Sequence, residues 1–287
     1  MIGGGDPARR RRRHVVLLGG LLLAGCRVTS LDGFFYDPLP APPGGYRLST
    51  AVIPSWETLT VTTPDGQTLD GVFIPSSGRR PDITMIYFHG QDENLGTTWP
   101  RLEYLYPLGY NIVMVDPRGY GRSTGTPDEP GLHIDELAIR DAAIAHPGVD
   151  PTRLVIYGRS LGSGLAIDLA FRELPAVLIT ESAFASIAAF VNDATYLDFP
   201  SSFVSESSWD NVGKVPYVFA PYLLFHGAAD DYVQPKYSDE LAAAHASAGP
   251  TMLVLVPGAD HDDVPELLGL DTYRATIQTF VEGAIAP

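Results

Sequence analysis

Cysteine is nearly absent: the 287-residue chain holds one, Cys26. A single thiol closes no internal disulfide, and no Cys/His spacing resembles a zinc site, so neither a cross-linked scaffold nor a resident metal is expected, and no cofactor. Positive charge is scarce as well. Nineteen Lys and Arg stand against 34 Asp and Glu, a net charge of −15. Nucleic-acid binding normally requires a basic footprint, so that class of partner is excluded. The apolar stretch Val15–Leu23 falls far short of the ~20 residues that a membrane-spanning helix needs. What the chain does have is 45% hydrophobic and 18% charged residues, enough to bury a sizeable core and too apolar for disorder. Its length permits two domains, but doubly wound α/β domains often reach this size.

The N-terminus has a composition of its own. Arg9 to Arg13 form a basic block, Val15 to Leu23 is apolar, and the small residues Ala24 and Gly25 precede Cys26. That order is the layout of a secretory signal. Leu23-Ala24-Gly25-Cys26 resembles the lipobox of bacterial lipoproteins, which implies a lipidated Cys26 as the mature N-terminus and an exported, membrane-anchored lipoprotein of the cell envelope. Removal of residues 1–25 would strip five arginines from an already acidic body, so the lipid rather than the protein surface would hold it to anionic headgroups. Residues 26–50 read as a tether: Pro38, Pro40, Pro42, Pro43, Gly44 and Gly45 disfavour helix and central strand. Phe34-Phe35-Tyr36 is expected to cover an apolar patch on the domain that occupies residues 51–287.

Within that domain the apolar pattern alternates between strand and helix. Glu57–Thr62 alternates polar and apolar, Asp65-Gly66 makes a turn, and Leu69–Ile74 returns, which predicts an antiparallel hairpin. Continuous apolar runs at 84–89, 111–116, 154–157, 177–180, 222–226 and 252–256 predict strands buried on both faces. Helical stretches near 99–108, 135–146, 164–170, 236–246 and 272–283 fill the intervals. The fold class expected is α/β: a mostly parallel eight-stranded sheet with an N-terminal antiparallel hairpin and helices on both faces.

The stretch Gly158-Arg159-Ser160-Leu161-Gly162 lies where the fifth strand meets the following helix. Gly-x-Ser-x-Gly between a strand and a helix is the context of a nucleophile elbow. In open α/β sheets the site lies beyond the carboxyl ends of the strands. A serine nucleophile on such a sheet is followed in chain order by an acid and then a histidine. His261, on the loop after the last strand, is the expected base, because His89 and His226 precede strand-end glycines and His133, His146 and His245 lie on or beside helices. Asp230 and the adjacent Asp231 both qualify as the acid on physical grounds. The backbone N–H of Leu161 is one expected oxyanion donor, and the loop after the third strand offers Gln91 as the other.

These residues carry a resemblance to the α/β-hydrolase superfamily, in particular to lidless α/β-hydrolase-domain serine hydrolases and the related serine aminopeptidases. The matching pieces are His89-Gly90, Asp116-Pro117-Arg118-Gly119-Tyr120-Gly121-Arg122-Ser123, Gly158-Arg159-Ser160-Leu161-Gly162, Glu181-Ser182-Ala183-Phe184, His226-Gly227-Ala228-Ala229-Asp230 and Gly258-Ala259-Asp260-His261. The resemblance spans about Glu57 to Gly283 and selects Asp230 as the acid, three residues past the glycine of its motif. It implies a serine hydrolase that cleaves a small-molecule ester or thioester through an acyl-enzyme on Ser160. The alternatives are an aminopeptidase-like enzyme, which would use Asp92 or Glu93 to hold a substrate amine, and a non-catalytic membrane-tethered module. Gln91-Asp92-Glu93 stands where the branch usually has Asn-Ala-Gly, and Asp116-Pro117 where it usually has Asp-Tyr. Between the sixth and seventh strands, Phe184, Phe190, Tyr196, Phe199, Phe203 and Trp209 either roof an apolar acyl pocket or belong to an amphipathic cover over the sheet.

Overall fold

The computed structural model of the chain describes residues 35–194 and 207–285. The segment read as a secretory signal, Cys26, Phe34, Tyr196, Phe199 and Phe203 lie outside the described residues. Eight strands form one sheet: β1 (Glu57–Thr62), β2 (Thr68–Ile74), β3 (Thr84–Phe88), β4 (Asn111–Val115), β5 (Leu154–Arg159), β6 (Val177–Glu181), β7 (Tyr222–Gly227) and β8 (Thr251–Val256). Their spatial order is β1-β2-β4-β3-β5-β6-β7-β8. β1 and β2 form the expected antiparallel hairpin, β2 also runs antiparallel to β4, and every other pair is parallel.

The helices are α1 (Leu95–Leu105), α2 (Glu129–Ala145), α3 (Leu161–Arg172), α4 (Ile187–Ala194), α5 (Asn211–Lys214), α6 (Lys236–His245), α7 (Val264–Leu268) and α8 (Leu270–Ala284). Successive residues of a strand face opposite sides, so each central apolar run feeds two cores. Ile86, Val113, Ile156, Leu178 and Leu224 belong to one core with Leu132 and Ile139 of α2, Leu165 and Leu169 of α3, and Leu241 of α6. Met85, Met114, Val155, Ile179 and Leu223 belong to the other with Trp99 and Leu102 of α1 and Tyr273, Ile277 and Val281 of α8.

Two helices begin earlier than their apolar periodicity suggests, because capping residues set the start. Asn94 caps α1, taking the Gly96 and Thr97 N–H groups while the Thr97 hydroxyl accepts from the Asn94 amide. Asp128 caps α2 by accepting from Gly131 N–H at 2.6 Å, with Pro130 in the first turn, where its missing N–H costs nothing. β8 departs from the expected two-sided burial. It pairs only with β7, and as the sheet edge it leaves Met252 44% and Leu255 41% exposed.

From Phe35 onward the proline-rich arm lies against the domain. Tyr36 is buried; its hydroxyl meets Ser207 Oγ at 2.5 Å and accepts from Trp209 Nε1 at 3.1 Å, while Tyr120 donates to its carbonyl. Asn94 Nδ2 donates to the carbonyls of Leu39 and Pro40, Tyr46 donates to Asp116 Oδ2 at 2.5 Å, and Trp99 Nε1 donates to Ser49 O at 2.9 Å. Prolines favour extended backbone without internal hydrogen bonds. The domain's side chains supply the missing partners.

Candidate active site

The end of β5 reverses sharply into α3 at Ser160, whose backbone sits at φ 50°, ψ −120°, a sparsely populated region for a residue with a Cβ. The reversal brings backbone so close that side chains are excluded on either side. A Cβ on Gly158 would come within 2.2 Å of Gly162 O, and one on Gly162 within 2.2 Å of Phe88 O. Hydrogen bonding of Ser160 N–H to Glu181 O at 2.9 Å pins the turn to the neighbouring strand. Leu161 opens α3, so its N–H has no acceptor within the helix.

Two loops complete the arrangement. His261 Nε2 lies 2.9 Å from Ser160 Oγ, and His261 Nδ1 lies 2.8 Å from Asp230 Oδ2. A carboxylate only accepts, so Nδ1 carries the proton and Nε2 is left to accept from the serine hydroxyl. Asp230 is buried, whereas Asp231 is exposed. Burial pushes the Asp230 carboxyl up, but hydrogen bonds from His226 and His261, the charge of His261 and the Val233 N–H outweigh it and hold the group well below the ordinary carboxylate range. Its second oxygen accepts from the N–H groups of Tyr232 at 3.0 Å and Val233 at 2.8 Å. The other strand-end histidines brace turns. His226 bridges Ser238 Oγ and Val233 O, and His89 Nδ1 lies 2.7 Å from Gly90 O.

Gly90 lies directly beside Ser160: a Cβ there would come within 3.4 Å of Ser160 Cβ. Its N–H donates to Glu93 Oε2 at 2.7 Å, and the other oxygen of Glu93 takes Arg159 Nη1 at 2.6 Å. Arg159 also bonds Asp262 Oδ1 and, at 3.3 Å, the carbonyl of His261. Burial works against the charge on Arg159, and Glu93, Asp262 and Glu181 more than offset it, so the guanidinium stays protonated. Glu181, a strand-end acid, accepts from Arg101 at 2.6 Å and from the hydroxyls of Tyr157 and Tyr273, both at 2.9 Å. Asp116, another strand-end acid, accepts from Leu95 N–H and Tyr46 and holds the arm and α1.

At the entrance, Tyr232 stands edge-on to His261 with ring centroids 5.0 Å apart, and its hydroxyl donates to Gln91 Oε1 at 3.2 Å. Phe190 meets Tyr232 at 5.6 Å, and Phe35 of the arm meets Phe190 at 6.1 Å and Phe184 at 5.8 Å. Sequence reasoning did not single out Tyr232 or the bonds of Arg159. The one signal was position, since Arg159 directly precedes Ser160 and Tyr232 lies two residues past Asp230.

Elsewhere, among the described residues, His133, Glu136 and Asp168 bring ligand atoms within 4.8 Å of one another. Lys214 Nζ lies 2.5 Å from one Asp168 oxygen and Arg172 binds the other, so the acids are balanced by the protein's own cations and a divalent ion there would face both. No helix among the described residues is long and apolar enough to cross a membrane.

Residues 98–275 match the profile of the Prolyl oligopeptidase family, well over half of the chain. The chain belongs to the prolyl oligopeptidase family. Among relatives of this family member, "Uncharacterized protein YfhR" of Escherichia coli (strain K12) is 32% identical over 243 residues, 81% of this chain and 83% of that one. Protein bem46 of Schizosaccharomyces pombe is 32% identical over 190 residues, 63% and 62% of the two chains. Among solved structures, the Pyrococcus furiosus esterase Pf2001 superposes with a TM-score of 0.69 at 17% identity, over 86% of this chain and 98% of that one. A Mycobacterium tuberculosis puromycin-hydrolyzing peptidase superposes at 0.66 with 16% identity, over 81% of this chain and 39% of that one. This member of the prolyl oligopeptidase family is a hydrolase with the α/β-hydrolase fold.

Proposed function

We propose that the chain is a serine hydrolase that cleaves a small-molecule carboxylic ester or thioester through an acyl-enzyme on Ser160. The observation that carries this reading is the unbroken hydrogen-bonded series Ser160 Oγ, His261, Asp230, with distances of 2.9 and 2.8 Å. His261 Nε2 takes the hydroxyl proton as Ser160 Oγ bonds the substrate carbonyl carbon, and Asp230 stabilises the imidazolium. The tetrahedral oxyanion accepts from the N–H groups of Leu161 and Gln91. Collapse breaks the bond to the leaving alcohol or thiol, which takes the proton from His261. Water then repeats the cycle on the acyl-enzyme and releases the acid.

Ester or thioester is favoured over an amine-anchored peptide because Glu93, one of the two acids that could hold a substrate amine, is engaged. Glu93 is held by Arg159 and by Gly90 N–H. The aromatic series Tyr232, Phe190, Phe35 suits an apolar acyl or leaving group rather than an ammonium-bearing residue. Membership in a family described by a peptidase name keeps aminoacyl amides in the test.

A fluorophosphonate adduct mapped to Ser160 by peptide mass spectrometry, and lost in Ser160→Ala, is the expected result. A panel of acyl esters, thioesters and aminoacyl amides then ranks the chemistries, with esters or thioesters first. Wild-type protein that takes no label and cleaves nothing in the panel would leave a binding module on a hydrolase scaffold. The location rests on Cys26: mass spectrometry of native protein is expected to find acyl chains on Cys26 and none of residues 1–25. A mature chain that begins elsewhere removes the anchor.

A further inference from the structure

We propose that Arg159 is a positioning residue that ties the oxyanion loop to the His261 loop across the nucleophile. The inference rests on the serine-hydrolase reading and names the part that holds its geometry. Three corners of the site must stay in register for acyl transfer, and they belong to three separate segments: residues 89–93 after β3, the elbow after β5, and residues 260–263 after β8. Packing of the strands fixes where these loops start. It does not fix where their ends lie relative to one another.

Arg159 is the residue before the nucleophile, so its backbone shares the elbow's geometry. Its side chain reaches both other segments at once. Nη1 holds Glu93 at 2.6 Å, and Nη2 holds Asp262 Oδ1 and the carbonyl of His261 itself. Glu93 relays the contact, because its other oxygen captures the N–H of Gly90 at 2.7 Å, beside the N–H assigned to the oxyanion. A planar guanidinium fork can bridge the two loops because it presents donors in fixed directions, which a single ammonium cannot do. The fork is buried, with Glu181 Oε1 3.6 Å from Nε and the same oxygen held by Arg101, so it has a fixed floor. Ser182 Oγ, which donates to His261 O at 3.1 Å, steadies the same carbonyl. Asp92 and Glu93, the departure from the branch's usual oxyanion loop, thereby acquire a reason in Glu93: it supplies the acid that Arg159 clamps.

Removing the guanidinium does more than cut three bonds. It leaves Glu93 half-buried without its cation, so the carboxylate is drawn toward water and pulls the Gly90 turn with it. Neutralising Glu93 as well removes that pull, since a glutamine still accepts from Gly90 N–H. This sets Arg159 apart from a residue that merely fills space.

The test uses the intact protein with Arg159→Met, Arg159→Lys, Glu93→Ala and the double variant Arg159→Met/Glu93→Gln, assayed on the ester that the wild type cleaves best. Arg159→Met is expected to lower kcat 10- to 100-fold with KM changed less than threefold, and Arg159→Lys to fall between it and wild type. The double variant is expected to recover at least threefold over Arg159→Met. Glu93→Ala, which keeps the buried arginine, is expected to lose about tenfold in kcat at unchanged Tm, so the inference stays testable if Arg159→Met does not fold. Amide exchange supplies a readout independent of turnover: Arg159→Met should speed exchange in both 89–93 and 260–263. Wild-type kcat in Arg159→Met or in Glu93→Ala overturns the proposal, as does a loss that Glu93→Gln does not relieve, or faster exchange in only one loop. Failure of wild-type protein to label at Ser160 sinks the hydrolase reading instead, and the exchange experiment still decides the clamp.

Discussion

Asp230 serves two partners through one carboxylate. One oxygen orients His261, and the other receives the amides of Tyr232 and Val233 that shape its own loop. Asp230→Asn is therefore expected to cost on the order of 10⁴ in kcat by leaving the imidazole in the wrong tautomer. Asp231→Asn should cost less than tenfold in the same assay, and the opposite ranking would assign the acid to Asp231. Because the folded Asp230 titrates well below the ordinary carboxylate range, its stabilising contribution is fully present above about pH 4. That contribution disappears as pH falls toward the folded value, so urea unfolding between pH 5 and 2.5 should show a steeper acid decline for wild type than for Asp230→Asn. Ser160→Ala and His261→Ala should each abolish nearly all turnover, with the double variant little worse, since the pair acts as a unit. Ser160 and His261 were legible from chain order and the Gly-x-Ser-x-Gly context. Asp230 was separated from Asp231 only by a family register, because two adjacent carboxylates look alike until the loop turns one inward. Tyr232 and the Arg159 clamp were not legible, since their partners lie at Gln91, Glu93 and Asp262, in loops whose relative placement no local pattern encodes.

At the scale of elements, the strands were legible because burial on both faces leaves an apolar run with no polar interruption, while helix starts were not, because capping residues rather than periodicity set them. Asp128-Glu129-Pro130 shows this, and its Glu129 has a second role: it accepts from the N–H groups of Ser208 and Trp209 and lies 3.5 Å from His133. Beneath it, α2, α3 and α5 meet over Glu136 and Asp168, both fully buried. Burial, with Asp168 nearby, keeps the Glu136 carboxyl protonated well above its ordinary range. Burial opposes a charge on His133, but hydrogen bonds with Asp168, Glu129 and Glu136 prevail and raise it to about 10. Both groups bind protons more tightly folded than unfolded. Their contribution is present at low pH and is lost as pH rises, for His133 from its unfolded value near 6.5 through about 10. Chemical denaturation should thus show stability falling by roughly 1–2 kcal/mol between pH 6.5 and 10, after discounting the solvent-facing edge of the ring. Glu136→Gln and His133→Gln should each flatten the decline, and an unchanged slope in both would place the alkaline sensitivity elsewhere.

For the molecule as a whole, the parallel sheet was legible in the alternation of strands and helices, and the aromatic cluster of the arm pointed to docking on the domain, but the partners it docks on were not legible. Prolines and glycines announce extended chain without saying what that chain touches. Phe35 and Tyr36 make the arm part of the structure: Tyr36 is fully buried and partnered at its hydroxyl and carbonyl. Tyr36→Ala should cost about 3–5 kcal/mol, the range for deleting a buried aromatic side chain, read as a lower Tm. Phe35→Ala, at the edge of the aromatic series, should leave stability nearly unchanged and raise KM for long-chain esters more than for acetyl esters. Equal KM changes across chain lengths would take the arm out of substrate recognition.

The two rims of the sheet are unequal in a way that bears on the life of the polypeptide outside its native state. β1 ends the sheet with Glu57, Thr58, Thr60 and Thr62 exposed, polar groups that discourage a stray strand. β8 ends it with Thr-Met-Leu-Val-Leu-Val, which has no charge and no proline, and with Met252 and Leu255 bare. A molecule caught during refolding would offer this rim as a template for another chain's backbone, and about six such residues suffice to seed stacking. Losses on refolding should therefore climb with protein concentration, and Leu255→Lys should blunt that climb while leaving ester turnover intact, because a single outward lysine acts as a gatekeeper on the rim.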